Sequence, residues 1–103
     1  NTLVSGSKDK TVKIWNFHTG QVRCTLSGHL DAVNSVAISP DNKVLASGSS
    51  DKTIKLWHLE TGELIATLAE HTNPVSAIAI SHDGRLLASA SWDNTIKVWL
   101  LAL

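Results

Sequence analysis

Sliding the chain along itself by 42 residues puts Trp15, Trp57 and Trp99 in one column and Asp9, Asp51 and Asp93 in another. When residues 1–61 are laid on 43–103, 29 of the 61 positions are identical, far more than the few that chance gives. An internal period confines the chain to copies of one small unit stacked on its neighbours, because a single copy cannot bury its apolar face alone. A period of about 40–45 residues is that of a propeller blade rather than a helical solenoid.

The local patterns agree. VNSVAIS (33–39), VLASGSS (44–50), TIKLW (53–57) and LIATL (64–68) are short runs rich in β-branched residues. Pro40-Asp41-Asn42, Ser50-Asp51-Lys52 and Thr61-Gly62-Glu63 separate them as tight turns. Strands of this length at this spacing make an antiparallel meander, and no segment keeps a helical period. Ten strands are readable, grouped three, four and three. The expected fold class is therefore all-β: propeller blades of four-stranded antiparallel meanders, about 2.5 blades, in an incomplete ring. The expected units are 1–26 (the last three strands of a blade), 27–68 (a complete blade) and 69–103 (a blade without its outermost strand).

Both faces of these strands are apolar or small. Ile54 and Leu56 point one way and Trp57 the other; Val44 and Ala46 oppose Leu45, Ser47 and Ser49. A sheet of that kind is covered on both sides. The small run Ala46-Ser47-Gly48 lets adjoining sheets approach closely.

The order of residues also resembles the WD-repeat β-propeller family. A His is followed by V-x-x-V/I-A-I-S and then by L-A-S-G/A-S-x-D-x-T-I-K-L/V-W, and the likeness covers essentially the whole chain. Two features depart from the family pattern. The residue after each repeated Trp is Asn16, His58 or Leu100 rather than Asp, and the Gly28-His29 pair becomes Glu70-His71 in the third copy.

A His, a Ser and an Asp in each complete copy invite a hydrolase reading. The resemblance implies instead a structural hydrogen-bonded tetrad: His29, Ser47, Asp51 and Trp57 in the second copy, and His71, Ser89, Asp93 and Trp99 in the third. The first copy keeps a partial set, Ser5, Asp9 and Trp15. Physical chemistry favours scaffold as well. A buried Asp has to be paired, a His can bridge it to a hydroxyl, and a buried indole N–H needs an acceptor. A catalytic triad would need an exposed nucleophile and an oxyanion hole, and no G-x-S-x-G elbow is present.

Composition excludes other classes. The chain is 43% hydrophobic and 17% charged with zero formal net charge, so it reads as globular and without the basic field of a nucleic-acid binder. Lys10, Lys13, Lys52, Lys55 and Lys97 recur with the repeat and are balanced by acids, as on a solvated blade edge. His18, His58 and His82 fall in unrelated columns and read as surface loop residues, not metal ligands. No cofactor or metal is expected, and no apolar run is long enough for a transmembrane helix. Cys24, the single cysteine, aligns with Ala66 and reads as a packing residue; a reducing, cytoplasmic location is compatible with it.

The resemblance implies a non-catalytic platform for protein or peptide partners, with no nucleic-acid or membrane role. Its contact positions lie in the top-face turns: Lys8 in the first copy; Ala32, Asn34 and Ser50 in the second; Pro74, Ser76 and Trp92 in the third. Trp92 stands out, because its column otherwise holds Lys8 and Ser50. Two and a half blades do not close a ring, which takes about four to eight. The chain, which starts at Asn1 and contains no Met, is accordingly expected to be an excerpt of a longer propeller, or else several copies assemble. In the second case strand 22–26 of one copy could complete blade 75–100 of another. The alternative function is a regulatory or sensing repeat segment of a larger multidomain protein, kinase- or NTPase-linked for example.

Overall fold

A computed structural model describes residues 2–101. It contains ten strands: β1 (Thr2–Gly6), β2 (Thr11–Asn16), β3 (Val22–Ser27), β4 (Val33–Ile38), β5 (Val44–Ser49), β6 (Ile54–His58), β7 (Leu64–Leu68), β8 (Val75–Ile80), β9 (Leu86–Ser91) and β10 (Ile96–Leu100). They form three antiparallel sheets, ordered β1-β2-β3, β4-β5-β6-β7 and β8-β9-β10, each an uninterrupted meander. The strands lie within about a residue of the expected runs. His58 ends β6 rather than standing in a loop, though it is exposed as a surface residue would be.

The turns repeat as faithfully as the strands. Lys10, Lys52 and Asn94, spaced by 42, all have φ between 67° and 77°. Asn42 and Gly84 share a second left-handed position, and Gly20 and Gly62 a third. Asn and Gly adopt this region easily; Lys does so at a cost, so the turn geometry there is imposed by its neighbours.

Packing follows the same offset. One core cluster contains Val12, Ile14 and Leu26 of the first sheet with Val33, Leu45, Trp57 and Leu59 of the second. Adding 42 to each number gives Ile54, Leu56 and Leu68 of the second sheet, and Val75, Leu87, Trp99 and Leu101 of the third, all in the other cluster. The middle sheet is thus covered on both faces, and all six residues of β5 are buried. Gly48 makes this fit possible: a Cβ there would lie 2.8 Å from Val75 Cγ1 and 3.1 Å from Ile78 Cγ2. Half-buried Cys24 packs against the first cluster.

A bulge interrupts four of the seven described ladders, at matching places. Asn34 and Ser76 are the extra residues at the start of the innermost strands of the second and third sheets. Arg23 and Ile65 are extra in β3 and β7. A bulge re-aims the side chain it inserts, so alternation alone does not place these four.

Candidate functional site

The pairing of Val33 with Ser49 sets the connection 28–32 beside the turn 50–53, at what we call the top end of the sheets; the turns 39–43 and 59–63 lie at the bottom. The top turns are built around buried polar networks. In the middle sheet, the Trp57 indole N–H donates to Ser47 Oγ at 2.9 Å, and Ser47 Oγ lies 2.7 Å from His29 Nε2. His29 Nδ1 is 2.8 Å from Asp51 Oδ2. These contacts have one consistent direction. Asp51 accepts from Nδ1–H, which leaves Nε2 as the acceptor of the Ser47 hydroxyl proton, and the serine oxygen takes the indole N–H. The carboxylate also accepts the Leu30 amide at 2.9 Å, the Thr53 amide at 2.9 Å and the Thr53 hydroxyl at 2.6 Å.

Both titrating groups respond to this setting. Burial alone would push the Asp51 carboxyl up, but hydrogen bonds from the Thr53 hydroxyl, the Leu30 amide, the His29 ring and the Thr53 amide outweigh it and hold the group at about 2. Burial moves the His29 ring down from its ordinary value, against the opposing pull of Asp51. The pair is therefore a neutral imidazole on an ionised carboxylate at neutral pH.

The third sheet repeats the network more loosely. His71 bridges Asp93 Oδ2 at 2.9 Å and Ser89 Oγ at 2.7 Å, but the Trp99 indole is 3.4 Å from Ser89 Oγ and the Thr72 amide 3.2 Å from Asp93. The Thr95 hydroxyl, also bonded to Asp93, is the main reason that this carboxyl lies well below the usual range, against some burial. The first sheet has the ends without the bridge. Trp15 donates to Ser5 at 2.9 Å, while exposed Asp9 takes the Thr11 hydroxyl at 2.5 Å and pairs with Lys13 at 3.5 Å. The Thr11 hydroxyl and amide are the leading causes that keep Asp9 at about 2.

Ser47 and Ser89, not Ser49 and Ser91, bond to the histidines. The latter pair bind turn to connection: Ser49 Oγ donates to the Ala32 carbonyl at 2.8 Å, and Ser91 Oγ to the Pro74 carbonyl at 3.0 Å. Thr53 and Ser49 therefore belong to the framework, although sequence reasoning did not single them out; their columns, Thr11/Thr53/Thr95 and Ser7/Ser49/Ser91, were the available signal. The two network serines are not placed for nucleophilic attack. Ser47 is 0% exposed and Ser89 1%, so neither hydroxyl meets a substrate. Among the described residues no buried side-chain nitrogen or oxygen lacks a partner.

The expected contact residues all lie at the top end, but they differ in freedom. Ala32, Ser50 and Pro74 are half-buried and contribute mainly backbone bonds, Ser50 N–H to Ala32 at 2.9 Å and Trp92 N–H to Pro74 at 3.1 Å. Asn34 already has an internal task, because its amide donates to Val75 of the next sheet and to Ser50 Oγ, both at 2.9 Å. Ser76 is exposed and donates to the Ala90 carbonyl at 3.2 Å. Lys8 is exposed. The Trp92 side chain is 70% exposed. Leu30, 82% exposed in the connection 28–32, is a second apolar side chain at this end that the sequence reading passed over.

Repeated antiparallel meanders of three or four strands, stacked face to face and pinned in the second and third sheets by Trp–Ser–His–Asp networks, define a WD-repeat β-propeller architecture. The chain belongs to that family: WD40, described as "WD domain, G-beta repeat", matches residues 1–16, 20–58 and 62–99. The matched unit 20–58 begins just before β3 and runs through β6, so the sequence repeat and the sheet are offset by one strand. Among similar proteins are the small ribosomal subunit protein RACK1y of Oryza sativa subsp. japonica (49% identical over 45 residues) and a Lissencephaly-1 homolog of Caenorhabditis briggsae (49% over 43). Coronin-7 of Mus musculus is 50% identical over 46 residues. The matched segments are 44%, 42% and 45% of this chain, and span only 13%, 11% and 5% of those relatives.

Proposed function

We propose that this chain is a non-catalytic interaction scaffold that docks a protein or peptide partner on the top-end turns, with Trp92 as the anchor. The carrying observation is the exposure of that indole on a turn whose backbone is tied to Pro74. A Trp side chain offers about 150–250 Å² to a partner, a few kcal/mol at ~25 cal/mol/Å² as an upper bound, and Trp is enriched among residues that dominate interfaces. Rigid sheets below and side chains presented by turns above are the usual division of labour in such platforms. RACK1y is by name part of a ribosomal subunit, which supports a role within an assembly. A cytoplasmic location belongs to the same reading.

Peptides selected from a random library on this chain test the reading. Trp92→Ala should shift the unfolding free energy by no more than ~1 kcal/mol, as at other surface sites, and should lose most of the selected binders. A large stability loss, or binders indifferent to the substitution, would count against it.

The two outer faces fit further propeller neighbours. Leu3, Trp15 and Phe17 occupy the columns of Leu45, Trp57 and Leu59, while Ile96 and Val98 occupy those of Ile54 and Leu56. What one end leaves open is thus the kind of face that covers the other end's columns inside the chain. Further blades of a longer chain or other copies of this one would meet that need; a discrete trimer or tetramer by light scattering would select the copies.

A further inference from the structure

The bottom end, opposite Trp92, carries a groove of about 420 Å³ between the second and third sheets. Val44, Ile65 and Leu101 give it an apolar lining, and Asp41, Glu60 and Lys43 its charged groups. The junction one repeat earlier shows how such a corner is filled from within. Arg23 is the bulged residue of β3, as Ile65 is of β7. Its guanidinium crosses to the next sheet, where Nη2 donates to the Leu59 carbonyl at 3.0 Å and Nη1 to the Glu60 carbonyl at 3.4 Å.

The repeat counterpart of Leu59 is Leu101, and the backbone is held alike at both. The Leu59 N–H donates to the Lys43 carbonyl at 3.0 Å, and the Leu101 N–H to the Arg85 carbonyl at 2.7 Å. The second junction therefore repeats the acceptor position, but Ile65 has no donor to send to it.

We propose that this groove docks an arginine side chain of a partner polypeptide, supplied in trans where Arg23 acts in cis. A guanidinium is a planar fork of donors suited to carbonyl and carboxylate oxygens, and its aliphatic stem packs on apolar surface such as Val44 and Ile65. Asp41 and Glu60 outnumber Lys43 in the lining, so the local field favours a cation. A lysine fits less well, being a point charge without the fork. The site is independent of the top end and makes the scaffold two-faced.

The test is a titration of the full chain with N-acetylarginine amide, followed through the methyl resonances of Ile65 and Val44, with N-acetylcitrulline amide as the neutral analogue of similar shape. The expected result is saturable shifts at both methyl positions, with citrulline about tenfold weaker or worse, as loss of a charge-assisted bond implies. Ile65→Arg should fill the groove from within and abolish the shifts at Val44. Glu60→Gln, at an exposed position, should weaken binding without disturbing the fold, and Trp92→Ala should leave it unchanged. Unresponsive methyls, or arginine and citrulline binding alike, would overturn the proposal.

Discussion

The middle sheet and the third sheet contain nearly the same strand in different company. β6 reads IKLWH and β10 reads IKVWL. Ile54 in β6 is 0% exposed, and Ile96, the same residue in the same column, is 76% exposed. Leu56 and Val98 differ in the same way. The cause is the neighbour: the third sheet lies against Ile54 and Leu56, whereas no described sheet lies against Ile96 and Val98. In a repeat array, burial belongs to the interface between copies rather than to the copy. The polar network follows suit, closing at 2.9 Å between Trp57 and Ser47 but at 3.4 Å between Trp99 and Ser89.

The sharpest way to break this comparison is at the carboxylates. Asp51→Ala should destabilise by ~3–5 kcal/mol, the usual cost of breaking a buried pair. Asp9→Ala, at the exposed counterpart, should cost far less, and Asp93→Ala should fall between them. Denaturant melts that gave less than 1 kcal/mol for Asp51 would remove the network from the account of stability.

Next comes the isoleucine pair. Ile54→Ala should cost ~2–5 kcal/mol as a core truncation, and Ile96→Ala should stay within about 0.5 kcal/mol as a surface change. Equal losses would mean that something covers the third sheet in solution, as association of copies would do.

Acid sharpens the contrast further. Folded His29 holds its proton less readily than the unfolded residue, whose ordinary value is 6.5, so stability is complete above that pH and declines as the pH falls below it. Asp51 acts in the lower window: the unfolded carboxyl takes its proton near 3.8 and the folded one only near 2, so stability is lost over that range. Each group contributes a slope of at most about 1.4 kcal/mol per pH unit. Urea melts at pH 7, 5 and 3 should show the decline, and the Asp51→Asn variant should flatten its lower part; unchanged midpoints from pH 7 to 5 would exclude the His29 contribution.

The smallest effect should be a gain. Lys52 sits at φ 76° in a position that the third copy gives to Asn94. Lys52→Asn should relieve left-handed strain and add up to about 1 kcal/mol, measurable as a higher melting midpoint; a lower one would show that the Lys52 side chain has a partner worth more than the strain.

Much of this was written in the sequence. The 42-residue offset and the alternating runs located ten strands in groups of three, four and three, and the small residues around Gly48 marked where sheets would approach. Ser47 was separable from Ser49 only by family register, since both are serines on one face of one strand. The four bulges were not legible, because one inserted residue leaves the hydrophobic pattern on either side intact. That is why Asn34 read only as a contact residue, with no sign that its amide also reaches the Val75 carbonyl. It is also why Arg23 and Ile65 gave no hint of facing the same kind of corner: their difference matters only once both are seen to cross a junction.

Each sheet also carries its own probe. Trp15, Trp57 and Trp99 each donate an indole proton to a serine of the same sheet, and Trp92 stands in solvent. Four indole resonances would therefore time the opening of three sheets separately against an internal reference. Unfolding that spreads inward from the ends would become visible as an order of hydrogen exchange, with Trp57 exchanging last.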